Sequence, residues 1–160
     1  MTAQEFSELV QFLEETPEVV RQLTAGWSEQ ALRWKPSEDE FSALEQVCHL
    51  RDIEREGYSV RIRKILAEER PMLPDIDGSR LARTRHYNSQ SFDSALEDFA
   101  HARQENIGVI RALPSDQLNR SGALEGVGEI TLERLLLLMR EHDQSHRDEL
   151  RGLMAYVSKG

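Results

Sequence analysis

One stretch late in the chain, from Leu135 to Leu150, most strongly limits what this sequence can form. It reads LLLLMREHDQSHRDEL and places His142 and His146 four residues apart. Residues at that spacing lie on the same side of a helix, one turn from each other. Apolar residues recur at helical spacings around the pair: Leu135, Leu138, Met139, Leu150 and Leu153. The pattern therefore predicts a helix whose two imidazoles point into the protein together with the apolar side chains.

Two inward histidines at this spacing can share one divalent metal ion if a third ligand reaches them. We expect His49 to be that ligand, because it lies on the apolar side of another predicted helix, four residues before Ile53. Neutral imidazole binds zinc, nickel, manganese and iron, so the histidines do not identify the metal. The pattern alone also fits two ordinary buried histidines in a protein that binds no metal.

The charge and composition exclude several classes of function. A formal net charge of -9 and a pI near 5.1 argue against a protein that tracks nucleic-acid phosphates. No run approaches the roughly 20 apolar residues of a membrane helix, and the acidic start MTAQEFSELV does not resemble a signal peptide. The single cysteine, Cys48, cannot form an internal disulfide, which is typical of a reducing compartment. We expect a cytoplasmic protein that acts on a small molecule.

Capping residues predict the starts of four long helices. Two capping boxes begin with Thr2 and Ser42, and single N-caps stand at Ser91 and Thr131. The first helix is expected to break and restart at Thr16-Pro17, because proline lacks the N–H that a helix interior uses. The other three are expected to end near Glu69, Ala112 and Val157.

The connections are predicted to be irregular or to hold single helical turns. Trp27 to Pro36 and Ser115 to Leu118 each suit one short turn, whereas Arg70 to Asn88 shows no sustained periodicity. Loops of that length often cover binding sites. Glycines make residues 122–128 a second flexible connection, and little of the chain alternates as strands do. The predicted fold class is all-α, a four-helix bundle in one domain over residues 1–160 with short extra helical turns in its connections.

Four carboxylates could orient an imidazole or add a fourth ligand: Glu45, Asp52, Glu56 and Asp143. A carboxylate that hydrogen-bonds one ring nitrogen fixes which nitrogen faces a metal. Glu45 has an alternative role in its capping box. Asp143 follows His142 where a zinc protease motif has glutamate, and no third ligand follows closely downstream, so a zinc protease is not expected. The sequence indicates no catalytic residue beyond these candidates.

Several further residues have competing explanations. His86 and Tyr87 end the long loop, where they could face a substrate, although loop packing would also explain them. His101 lies among polar residues and is expected to be exposed. Cys48 should point away from the histidines and fill a small buried space. Both tryptophans, Trp27 and Trp34, are expected to fill the core.

Three motifs in order give the chain a family resemblance. FSALEQVCHLRDIE, a proline-bearing loop and GVGEITLERLLLLMREHDQSHRDEL together resemble the DinB/YfiT superfamily of metal-binding helical bundles. The likeness extends to TPEVVRQLTAGWSEQALRWKP and FDSALEDFAHAR and so covers nearly the whole chain. The family's H-L-x-D/E-x-E-like and H-D-x-x-H-like motifs fall on His49, His142 and His146. Phe41 stands where the family commonly has tryptophan, and Glu149 where it commonly has glutamine.

The resemblance implies a bundle with non-sequential neighbours, an open three-histidine site near one end, and a homodimer. It implies activities that include thiol-dependent transfer with bacillithiol or mycothiol, maleylpyruvate isomerisation and metal-dependent hydrolysis. We therefore expect an enzyme whose Zn, Ni, Mn or Fe ion activates a water or a low-molecular-weight thiol against a small electrophile. The alternative is a non-catalytic metal-binding or stress-response bundle that acts through dimerisation or a protein partner. An open cavity over the histidines would favour the enzyme.

Overall fold

Seven α-helices and a small sheet make up the structure, a computed structural model that describes residues 1–157. The helices are α1 Ala3–Thr24, α2 Glu29–Arg33, α3 Ala43–Asp52, α4 Ser59–Ala67, α5 Gly78–Thr84, α6 Phe92–Arg111 and α7 Leu132–Val157. The strands are β1 Met72–Leu73, β2 Ser121–Leu124 and β3 Gly128–Thr131. Residues 158–160 of the predicted domain range lie outside the described residues. Within residues 1–157, no helix is long and apolar enough to cross a membrane.

Four helical columns form the bundle: α1, the continuous α3–α4 segment, α6 and α7. Helix α1 packs against α6 and α7, and α3 packs against the same two helices. The first two columns in the chain, α1 and α3–α4, therefore lie diagonally across the bundle, and so do the last two, α6 and α7. This arrangement confirms the predicted all-α four-helix bundle with non-sequential neighbours.

The predicted break at Thr16-Pro17 is wrong, because α1 runs through Pro17. A proline inside a helix leaves the carbonyl four residues earlier without its N–H partner. That carbonyl belongs to Leu13, and it accepts a hydrogen bond of 2.7 Å from the Arg103 guanidinium on α6. The neighbouring Phe12 carbonyl accepts from Thr16 and from Arg147. Side chains from two other helices thus satisfy the backbone where the break was expected.

The predicted helix from Ser42 to Glu69 contains a change of winding. Ser42 and Glu45 form the expected capping box, and α3 passes at Ile53–Tyr58 into a π-helical turn before α4 continues. Such turns frequently occur at functional sites. The turn places Glu54 and Tyr58 in the bundle interior, where both are buried.

The two connections that were predicted to be irregular contain ordered elements. The first contains β1, α5 and a 3-10 turn at Tyr87–Ser89, and the second contains β2 and β3. Strand β1 pairs in parallel with β2, and β2 pairs antiparallel with β3. Positive φ angles at Gly126 and Gly128 allow the tight reversal between β2 and β3. These pieces are too short to show strand alternation in the sequence.

Two apolar clusters fill the bundle and leave a polar layer between them. One cluster includes Leu13 and Met139, and the other includes Val20 and Leu150. On α7 the residues between the clusters include His142, Asp143 and His146. His142 and His146 therefore lie near the middle of α7, and His49 lies in the second turn of the α3–α4 column.

Candidate metal centre

The structure brings the three predicted histidines together. His49 reaches the centre from α3, and His142 and His146 reach it from successive turns of α7. Nε2 of His142 lies 3.1 Å from Nε2 of His49 and 3.1 Å from Nε2 of His146. The three side chains can offer ligand atoms that all lie within 4.8 Å of one another. Among residues 1–157, this is the group of histidine, cysteine and carboxylate side chains whose arrangement suits a metal ion.

This arrangement fits a metal ion better than it fits hydrogen bonding. Each imidazole nitrogen carries one proton or one lone pair, so Nε2 of His142 cannot form good hydrogen bonds to two neighbours. Neighbouring ligand nitrogens about 2.0–2.1 Å from one metal ion lie roughly 2.8–3.4 Å apart, from octahedral to tetrahedral geometry. The observed separation of 3.1 Å lies within that range. The donor set therefore suits a divalent transition metal.

Burial keeps all three imidazoles neutral near pH 7. It lowers the pKa of His49 and the pKa of His146 to about 4. The pKa of His142 lies well below its ordinary value, through burial first and then through the neighbouring His146 and His49. Neutral imidazole is the form that binds metal ions, so the site needs no deprotonation before binding at neutral pH.

Gln46 holds His146 in the orientation that a ligand needs, and the sequence analysis missed it. The side chain of Gln46 is buried on α3, and its oxygen contacts Nδ1 of His146. The amide nitrogen of Gln46 donates to the carboxylate of Glu149. These contacts place the His146 proton on Nδ1 and direct the Nε2 lone pair toward the other histidines. The signal in the sequence was the position of Gln46, one turn before His49 on the same helix.

Backbone of α5 covers His49. A Cβ atom at Gly78 would lie 2.6 Å from Cε1 and 2.8 Å from Nδ1 of the His49 ring, so no larger residue fits without displacing the imidazole. Phe41 packs on the same imidazole with ring centroids 5.6 Å apart. Nδ1 of His49 is buried without a hydrogen-bond partner among the described residues. Packing, and not a hydrogen bond, therefore orients this ring.

Asp143 is buried behind the histidines in a charged network. Its carboxylate accepts hydrogen bonds from Thr16 and from the Arg103 guanidinium, at 2.6 Å from each. Arg103 also binds Glu54 through two hydrogen bonds of 2.8 Å. The network joins α1, the π-helical turn, α6 and α7 at the level of the site. Among residues 1–157, Asp143 forms no hydrogen bond to an imidazole, so it supports the helix that carries His142 and His146.

The other three candidate carboxylates lie away from the imidazole nitrogens. Glu45 bonds the Ser42 backbone in the capping box and pairs with Lys35. Asp52 accepts from Arg51, Arg85 and Tyr87. Glu56 pairs with Arg85 at the surface. The first two help to fix the ends of α3, and Asp52 and Glu56 together anchor the segment that follows α5.

His86 and Tyr87 do not line the cavity that borders His146. His86 is exposed, with a left-handed φ of 51°, and Tyr87 is fully buried with its hydroxyl on Asp52. The structure thus supports the packing explanation for Tyr87. His101 is exposed and Cys48 is buried, as predicted. Trp34 is 39% exposed, so the prediction that it fills the core is wrong.

A cavity of about 790 Å³ opens onto one side of the histidine group. His146, Gln46 and Glu149 form its end at the candidate site, and Trp34, Asp39, Glu40 and Tyr156 form its exposed rim. Phe41 lines it as well, so both positions at which the sequence departs from the family pattern face this cavity. Its volume falls within the range of sites for small molecules. Of the three histidines only His146 lines the cavity, so the cavity borders the candidate site on the His146 side.

Comparison with known proteins identifies a family and similar solved structures. Residues 13–150 match the family model of the DinB superfamily. The fold is similar to that of YfiT from Bacillus subtilis, with a TM-score of 0.91 and 20% sequence identity over 99% of this chain and 90% of that chain. YfiT is described as a probable metal-dependent hydrolase with an unusual four-helix bundle topology. No curated protein matches the chain.

Proposed function

The chain belongs to the DinB superfamily, and on that basis we propose that it is a metal-dependent hydrolase of a small molecule. His49, His142 and His146 would hold one divalent transition metal, with zinc, nickel, manganese and iron as the candidates. The observation that carries the proposal is the convergence of three neutral Nε2 atoms, with separations of 3.1 Å from the central one. The description of YfiT as a probable metal-dependent hydrolase supports the reaction class.

The chemistry follows from three protein ligands that leave further coordination positions open. A divalent metal in such a site lowers the pKa of a bound water, to about 7 for zinc, and so supplies a nucleophile at neutral pH. Gln46 keeps the Nε2 lone pair of His146 available. Glu149 lies on the cavity wall, with an oxygen 3.9 Å from Nδ1 of His146, and would accept a proton from a molecule bound there.

A low-molecular-weight thiol in place of water is the second candidate nucleophile. Thiolate is a good zinc ligand, and the cavity of about 790 Å³ has room for a molecule much larger than water. The same cavity argues against a purely structural role, because a structural site with three histidines would be closed by side chains. The proposal is therefore an enzyme, with hydrolysis first and thiol transfer second.

The test compares one set of variants with and without metal. Protein purified without a histidine tag is stripped with a chelator, reloaded with each candidate metal, and assayed on carboxylic esters, thioesters, amides and phosphoesters, with and without added thiol. We expect turnover that requires metal, is lost in His142→Ala and is retained in His101→Ala, because His101 is exposed on α6. Equal turnover by stripped and reloaded protein, or full activity in His142→Ala, would contradict the proposal.

A further inference from the structure

The cavity beside the histidines has two chemically different ends. The buried end is polar and carries the His146 imidazole and the Gln46 amide, and the half-exposed Glu149 carboxylate lies beside them. The rim carries two aromatic side chains, Trp34 and Tyr156, which are 39% and 63% exposed. A molecule that fills the cavity must therefore present a reacting group to one end and a different group to the rim.

The charges around the cavity are all negative. Asp39, Glu40 and Glu149 line it, and no lysine or arginine does so among residues 1–157. Lys35, the nearest cation in sequence, pairs with Glu45 at 3.2 Å instead. Neither Asp39 nor Glu40 forms an ion pair with a cation in the described part of the chain. A cleft lined by one sign of charge concentrates small ions of the opposite sign and repels ions of the same sign.

The aromatic pair at the rim supplies the other half of a cation site. The Trp34 and Tyr156 rings lie 5.2 Å apart at an angle of 32°. Aromatic faces attract ammonium and guanidinium groups through the negative potential of the ring, and tryptophan does so best. A group bound here would also cover apolar surface that is otherwise exposed to water. The combination of carboxylates and aromatic faces is the usual chemistry for recognising an organic cation.

We propose that the substrate is a small organic cation whose ammonium or guanidinium group binds at the rim among Trp34, Tyr156, Asp39 and Glu40. Its hydrolysable group reaches the buried end beside His146. This inference rests on the proposed function, because it names the substrate class of the same site. The positive group stays at the rim because a divalent metal at the three histidines would repel it from the buried end. Asp39, Glu40 and Glu149 disfavour any substrate or thiol that itself carries a carboxylate.

Three probes of similar size and different charge test the substrate class. Benzyltrimethylammonium, benzyl alcohol and phenylacetate are titrated into the full chain, and binding is followed by calorimetry and by the NMR signal of the Trp34 indole N–H. We expect the cation to bind at least about tenfold more tightly than the other two probes. Its affinity should fall as salt is added, since the rim carboxylates are exposed and screened by ions.

A matched pair of variants locates the binding. The double variant Asp39→Asn, Glu40→Gln should lower the affinity for the cation about fivefold or more. It should not change metal binding at the histidines. Glu97→Gln removes an exposed carboxylate from α6, outside the cavity lining, and should leave the affinity for the cation unchanged. Equal affinity for phenylacetate, an unaffected double variant, or no binding of the cation up to about 10 mM would overturn the proposal.

The same titrations in chelator-treated and metal-loaded protein separate this inference from the proposed function. The rim lies away from the histidines, so the preference for the cation should appear in both preparations. A preference for the cation in a protein that binds no metal would contradict the hydrolase proposal and leave only the organic-cation site at the rim. Stoichiometric metal without any preference among the probes would contradict the substrate class alone.

Discussion

The side-chain oxygen of Gln46 contacts Nδ1 of His146, a residue 100 positions later in the chain. The amide orientation follows from its other end, because only the nitrogen can donate to the Glu149 carboxylate. The contact fixes the His146 tautomer before any ligand arrives. A glutamine that does not itself reach the centre thus sets which nitrogen of the histidine can bind.

Replacing Gln46 should therefore weaken metal binding without removing a ligand. Gln46→Met keeps similar volume but offers no acceptor to Nδ1, and we expect metal affinity to fall about 10- to 100-fold. Gln104→Met on α6 is the control, since Gln104 is exposed. Competition with a chromogenic chelator measures both affinities. Unchanged affinity in Gln46→Met would mean that packing alone orients His146.

Gly78 should prove necessary for the position of His49. In Gly78→Ala the added methyl carbon would lie 2.6 Å from the imidazole, so the ring or α5 must move. We expect a clear loss of metal affinity with the helix content retained. Gly108→Ala is the matched control, because nothing lies within 4 Å of a Cβ there and the residue is inside α6. That control should gain about 1 kcal/mol of unfolding free energy and bind metal normally. Normal metal affinity in Gly78→Ala would show that this contact does not position the ligand.

Arg103 should be the most sensitive charged residue for stability. Arg103→Met leaves Glu54 and Asp143 buried without their cation and frees the Leu13 carbonyl. Breaking a buried ion pair in this way costs about 3–5 kcal/mol. Arg111→Met on the same helix breaks an exposed pair with Glu14 and should cost about 1 kcal/mol or less. Urea unfolding measures both variants, and equal losses would contradict the role assigned to the buried network.

The Cys48 thiol should be unreactive in the native protein. Burial raises the pKa of Cys48 from 9.0 to about 11, which is two pH units and so about 100-fold less thiolate at pH 8. Because the folded pKa is the higher one, reactivity of the native protein should rise only as the pH approaches about 11. Alkylation by iodoacetamide, with and without denaturant, measures the difference. Rapid alkylation of the native protein at pH 8 would show that the thiol is accessible.

The sequence predicted the helix starts and the histidine pair on α7, because both depend on residues within a few positions of each other. The capping boxes at Thr2 and Ser42 start helices where expected, because each box uses hydrogen bonds within four residues. The spacing of His142 and His146, together with the family motif at His49, predicted which side chains meet. Their role as metal ligands stays a prediction, as do the homodimer, the cytoplasmic location and the stress response.

The features that the sequence did not predict depend on contacts between residues far apart in the chain. Pro17 was expected to break α1, and the Arg103 side chain that relieves it lies 90 positions from the carbonyl it binds. Gln46 shows its role only when α3 and α7 are packed together. The residues around Trp34 in the sequence do not distinguish it from a core tryptophan. Its place beside the cavity becomes visible only when it packs near Tyr156 of α7.

The metal content of the purified protein tests the central claim most directly. The wild-type protein, His49→Ala and His101→Ala are purified without a histidine tag, and elemental analysis measures the metal in each. The account predicts about one equivalent of a divalent transition metal in the wild type and in His101→Ala, and a loss of most of it in His49→Ala. No metal in the wild type, even after zinc, nickel, manganese or iron is added, or full retention in His49→Ala, would contradict the three-histidine site.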